Sequence, residues 1–195
     1  MNLSQIVRAV VETIRDPRSG AKMVMSQNVD RRQRWEILLL IAVLSGGLAY
    51  TSILIGGLFG NGTDTAMGAG PFVLAITQAF VLLGMVFLIH IVGTKAGGLG
   101  SLDDAILLVA WMQFILICLQ IIQIMAVVAF PVLAVLLGLA GFVLIFVLLT
   151  VFISELHGFR SLPGVFFSVL FVMLISAIAV RFLFGLFGFD IIGIL

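Results

Sequence analysis

Apolar residues run in long blocks along this chain, and polar residues interrupt them instead of alternating with them. Between Asp104 and Glu155 fifty consecutive residues carry no formal charge. A helix rises about 1.5 Å per residue, so about 20 apolar residues cross a ~30 Å hydrocarbon core. The block from Ala105 to Ser154 is therefore long enough for two spans, and Ala129-Phe130-Pro131 is the strong break within it, a hairpin tip. The same pattern along the rest of the chain predicts five spans, at about 37–59, 72–92, 102–128, 132–153 and 164–187. Lipid offers the backbone no hydrogen-bond partner, so each span is expected to be helical. Gly60 to Pro71, made of Gly, Asn, Thr and Asp64, reads as a loop.

The first 36 residues follow a different rule. Leu3, Ile6, Val7, Val10 and Ile14 recur at helical spacing, with Asn2, Gln5, Arg8, Glu12 and Arg15 on the other side. An amphipathic helix over 2–15 is predicted. Asp16-Pro17 then resembles an N-cap with proline at the first helical position, opening a second short helix to about Gln27. No apolar h-region follows the start methionine closely, so a cleavable signal peptide is not expected. The chain thus divides into a basic N-terminal segment, 1–36, and a five-helix membrane domain, 37–195. The fold class is all-α, a polytopic transmembrane helical bundle.

Composition and charge sharpen this picture. With 63% hydrophobic residues, 10% charged residues and a mean hydropathy of +1.34, the chain is excluded from the ordinary soluble class, where about 25% of residues are charged. Net charge is only +1, yet it is unevenly placed. Arg8, Arg15, Arg18, Lys22, Arg31, Arg32 and Arg34 lie before the first span, where they can face anionic headgroups or pack on the bundle. With the N-terminus in the cytoplasm, Lys95 and Arg160 join them, leaving Arg181 outside near the end of the last span, within snorkelling reach of the interface. The positive-inside rule favours that orientation, with the C-terminus outside. Trp35 is placed for an interfacial aromatic belt.

Few residues suggest chemistry. The stretch Thr94-Lys95-Ala96-Gly97-Gly98-Leu99-Gly100-Ser101 is glycine-rich beside a lysine, but it lacks the order and the preceding strand of a phosphate-binding loop. A tight, mobile turn is the expected use of its glycines, and Ser101 with Asp104 reads as a capping-box variant that starts the third span. Gln113, Gln120 and Gln123 fall within an arc of about 80° on that span. Buried amides are costly in hydrocarbon, so they face either neighbouring helices or a watery path. His90, Lys95, Asp103, Asp104, Glu155, His157 and Arg160 fall near the inner face. Their spacing matches no metal motif, and no midspan acid suggests a proton pump. Cys118 lies in an apolar run far from both histidines, which disfavours a disulfide, a cysteine metal cage or a Cys/His nucleophile. Gly56 with Gly60, and Ala134 with Gly138, have the small-x3-small spacing of close helix contacts, and Gly46-Gly47 is a candidate kink.

The layout resembles a known family. Asp16-Pro17 ends the N-terminal helix. Gly97-Gly98-Leu99-Gly100-Ser101-Leu102-Asp103-Asp104 leads into a third span with an early aromatic, Trp111. A proline-tipped hairpin follows, and His157-Gly158 precedes the last span. Over roughly residues 10–185 this resembles the Yip (Ypt-interacting protein) family in its short bacterial form. Eukaryotic members carry a long cytosolic arm, for which there is no counterpart here, and a tyrosine-rich motif where this chain has Val109-Ala110-Trp111-Met112. Those members bind prenylated Rab-type GTPases and act in vesicle budding. For a bacterial member the resemblance implies an inner-membrane protein and supplies no catalytic residue.

The expected function is therefore non-enzymatic: a membrane organiser or scaffold that binds lipid or partner membrane proteins, with no cofactor, no metal and no nucleic acid. Self-association is a further expected use of the small-residue motifs. The alternative is a small-solute, ion or lipid transporter built on Gln113, Gln120 and Gln123. A water-filled groove reaching those amides would favour transport, and amides bonded within a dry bundle would favour the scaffold.

Overall fold

The computed structural model describes residues 2–58 and 70–186, with side chains except at 3 and 183–186. Expectations for Phe59, Gly60, Asp64, the rest of the 60–69 loop, and residues from Phe187 onward lie outside the described residues. Among the described residues the chain forms seven helices and no strand: α1 (Leu3–Arg15), α2 (Pro17–Met25), α3 (Arg31–Leu58), α4 (Pro71–Lys95), α5 (Leu102–Ala129), α6 (Pro131–His157) and α7 (Leu162–Leu186). The last five are each long and apolar enough to cross a bilayer.

Local chemistry accounts for the helix ends. The Asp16 carboxylate accepts from the backbone N–H groups of Arg18 and Ser19 at 3.2 Å each, with Pro17 in the first helical position of α2. The Ser101 hydroxyl oxygen accepts from the Asp104 N–H at 3.1 Å and so caps α5. Phe130-Pro131 separates α5 from α6 as the break in hydropathy predicts. Gly158, at φ +72°, ends α6, and the Phe159 N–H turns back to the Ser154 carbonyl at 2.9 Å. α3 begins at Arg31, six residues before the apolar run, so one helix continues across the 36/37 boundary. Arginine is a good helix former, and the helix runs on past the apolar stretch.

The core sits around α5. Ala105 through Ala110 are all buried, a continuous run that a helix shows only when neighbours enclose it on every side. α2, α3, α4 and α6 supply that enclosure. At about 42 Å, α5 exceeds the hydrocarbon thickness by about 12 Å. The excess fits its first turns, which are wrapped by α2. Beyond the core many large apolar side chains point outward, as at Phe80, Val135 and Phe167, the expected surface for a chain whose solvent there is lipid.

Gly46 and Gly47 have separate roles. A Cβ on Gly46 would run into the backbone of Ala75 and lie 2.9 Å from the Leu74 carbonyl carbon, whereas one on Gly47 would meet nothing within 4 Å. α3 stays helical through both. Gly46 is thus the crossing point of α3 and α4.

Candidate functional site

Three pieces of chain converge at the end of the bundle that carries α1 and α2. The first is the 96–101 turn. Gly97 supplies its positive φ of +87°, while Gly93, Gly98 and Gly100 serve a second purpose. A Cβ on any of the three would strike the His157 side chain. His157 is 3% exposed; its Nδ1 accepts from the Gly100 N–H at 3.2 Å, and its Nε2 lies 3.1 Å from the Ile89 carbonyl. Because Nδ1 is accepting, the ring is the neutral tautomer that donates from Nε2. The imidazole therefore clamps α4, the turn and α6 together, with Phe159 stacked on it at 5.5 Å.

The second piece is the N-terminal segment. Five of its seven cations pair with the protein's own acids. Arg18 and Lys22 reach Glu155 at 3.4 and 3.6 Å, Arg31 reaches Asp103 at 3.4 Å, and Arg32 pairs with Glu36 at 2.7 Å. The tightest tertiary pair is Arg34 with Asp104 at 3.0 Å; Arg34 is largely buried and also donates from Nε to the Val29 carbonyl at 2.9 Å. Arg8 and Arg15 have no ion-pair partner among the described residues and are exposed. Thr13 ties α1 to the bundle: it is fully buried, donates to the Ala9 carbonyl at 2.8 Å and accepts from Trp111 Nε1 at 3.2 Å. Gly20 of α2 has no Cβ because Thr13 occupies that space.

The third piece is the 158–161 turn, where Arg160 lies exposed. Lys95 ends α4 on the surface, and His90 sits half-buried on α4 with its Nδ1 unpartnered. Among the described residues, no group of three or more His, Cys, Asp or Glu side chains could hold a metal ion.

The glutamines are not brought to one cavity. Gln113 donates to Ser45 Oγ at 3.0 Å and Gln120 to Ser52 Oγ at 3.4 Å, both on α3, while Gln123 donates to the Ala134 carbonyl of α6 at 3.2 Å. Each serine gives its own hydrogen to a carbonyl one turn back, Ile41 or Leu48, which leaves its oxygen free to accept. Gly138 leaves room for the Gln123 amide, so the Ala134/Gly138 pair admits a side chain between helices. Sequence reasoning missed Ser45, Ser52 and Thr13. A signal for the serines exists: Ser45/Ser52 and Gln113/Gln120 share a seven-residue spacing, the repeat of two helices that run parallel and in register.

The Arg34–Asp104 pair yields a direct test. Asp104→Asn keeps the shape and removes the charge opposite a largely buried guanidinium. It is expected to cost about 1–2 kcal/mol once partial solvent screening is allowed for. Arg32→Gln, in a pair exposed on both sides, should stay within about 0.5 kcal/mol. Thermal unfolding in detergent measures both.

The family model described as the Yip1 domain matches residues 11–182, which is most of the chain. No curated protein and no solved structure matches it.

Proposed function

The chain belongs to the Yip1 domain family, and we propose that it is a non-enzymatic organiser of membrane lipid, with α1 as the part that meets the headgroup layer. One observation carries this reading. Val7, Val11 and Ile14 form an exposed apolar stripe along α1, at i, i+4 and i+7, although the opposite face is buried at Ala9, Val10 and Thr13. Arg8 and Arg15, the two N-terminal cations with no ion-pair partner among the described residues, lie along one side of that stripe. An apolar edge with arginines beside it matches a helix lying in the interface, its side chains shallowly inserted and its guanidinium groups on anionic headgroups. The bond from Trp111, about 14 Å along α5, puts α1 near the level where the hydrocarbon would begin.

On this reading residues 1–36 act as a collar, and four of their cations, Arg18, Lys22, Arg31 and Arg34, hold it to the bundle. The basic end faces the cytoplasm of a bacterial inner membrane, with the C-terminus outside. Partners are membrane lipids, with other membrane proteins or a second copy as further candidates. The glutamine amides engaged on α3 and α6 support a packing role for them over a transport path.

The test uses the full chain with Cys118→Ser and a fluorophore on Val11→Cys, reconstituted in vesicles. In vesicles rich in phosphatidylglycerol, a quencher in the lipid phase should reach the label, and added salt should reduce the quenching. Arg8→Gln with Arg15→Gln should weaken that contact by roughly tenfold or more. A label equally open to water in phosphatidylglycerol and phosphatidylcholine vesicles would refute the reading.

A further inference from the structure

We infer that a groove between α4 and α7 holds one acyl chain of an anionic phospholipid, with Arg160 on the headgroup. α7 makes its main packing contact with α6, and α4 also touches that helix. The space between them is about 710 Å³, within the range of small-molecule sites. Met85 and Val92 form one wall, Leu149 and Ile153 the floor, and Val169 and Met173 the other wall. So apolar a groove holds no water stably, and left empty it would forfeit the dispersion contacts of its lining.

Its one charged lining residue lies at one end. Arg160 and Ser161 line that end, and Arg160 has no ion-pair partner among the described residues. The guanidinium matches a phosphate in charge, and the Ser161 hydroxyl can donate to an oxygen of the same group while its own oxygen accepts from Gly164 N–H at 3.2 Å. From Gly164 to Ser176 the lining runs about 18 Å along α7, which covers the ~15 Å depth of one leaflet. A charged end and an apolar trough one leaflet deep fit a lipid entering sideways from the leaflet at the basic end.

This site shares no residue with α1, so the two readings succeed or fail separately. The full chain is reconstituted in equimolar phosphatidylglycerol and phosphatidylcholine, extracted in mild detergent and weighed by native mass spectrometry. One phosphatidylglycerol per chain should survive delipidation. Arg160→Gln, at an exposed position, should lower the preference for phosphatidylglycerol over phosphatidylcholine about fivefold. Val169→Trp, which fills the trough, should abolish retention of both lipids, with circular dichroism confirming that the helices remain. Arg8→Gln with Arg15→Gln should leave retention unchanged. Retention that is absent in the native chain, or the same in native, Arg160→Gln and Val169→Trp chains, would overturn the proposal. So would a dimer cross-linked through Val169→Cys (in a Cys118→Ser background), because a second copy would then occupy the groove.

Discussion

Gly46→Ala is expected to cost about 2–3 kcal/mol of bundle stability, while Gly47→Ala, one residue away, costs nothing. The two glycines have identical chemistry and share a helix, so intrinsic propensity predicts the same small gain for both, up to about 1 kcal/mol. Their surroundings differ. A methyl at 46 would be driven into the backbone of α4 at Ala75 and lie 2.9 Å from the carbonyl carbon of Leu74. Backbone cannot swing aside as a side-chain tip can, so α3 and α4 must separate, and overpacking of this kind costs about 1–3 kcal/mol before other contacts loosen. Separation would also disturb Ser45, which neighbours Gly46 and accepts from Gln113 across to α5. A methyl at 47 enters open space. Thermal unfolding of the two variants in one detergent decides the matter. Equal melting temperatures would show that α3 and α4 do not meet at this point.

His157→Ala should be at least as damaging, by about 3–5 kcal/mol. The ring satisfies two backbone groups from different elements, the Gly100 N–H and the Ile89 carbonyl. Leaving the Gly100 N–H unpartnered in a buried site costs about 1–3 kcal/mol, loss of the second bond to the Ile89 carbonyl adds to it, and the void left by the ring adds a cavity term. Gly93, Gly98 and Gly100 have all given up a Cβ around this ring, so the surrounding chain has little side-chain volume with which to refill the space. The turn beside exposed Lys95 should open, and trypsin should cut after Lys95 faster in the variant than in the native chain. Gly93→Ala should have a similar effect from the other direction, because its methyl would displace the ring. An alanine variant that melts and resists trypsin like the native chain would remove His157 from this structural role.

The glycine turn shows what sequence can and cannot reveal. Its composition suggested a tight, mobile turn, and the tight part is visible in Gly97. Gly93, Gly98 and Gly100 have no side chain because His157, far along the chain, needs their space, which no local pattern announces. The arginines make the same point. Seven cations before the first span can face anionic headgroups or pack on the bundle, and Arg18, Lys22, Arg31 and Arg34 find carboxylates on α5 and α6. Of the seven, only Arg8 and Arg15 are both exposed and without an ion-pair partner among the described residues. The glutamines were recognisable as a polar face, but the split that sends two amides to α3 and one to α6 depends on which helix lies on which side.

Sequence alone determined the helical class, the five apolar spans, the caps at Asp16 and Ser101, and the break at Pro131. These follow from constraints satisfied within a few residues: a backbone in hydrocarbon must bond to itself, and a helix end must find a nearby acceptor or donor. The tertiary structure decided the partner of each charge, amide and imidazole, because those contacts join residues far apart in the chain. Hydropathy sets how deep a helix lies but not which neighbour it touches. Only packing resolves that, through glycines where backbones cross and serines whose oxygens remain free to accept.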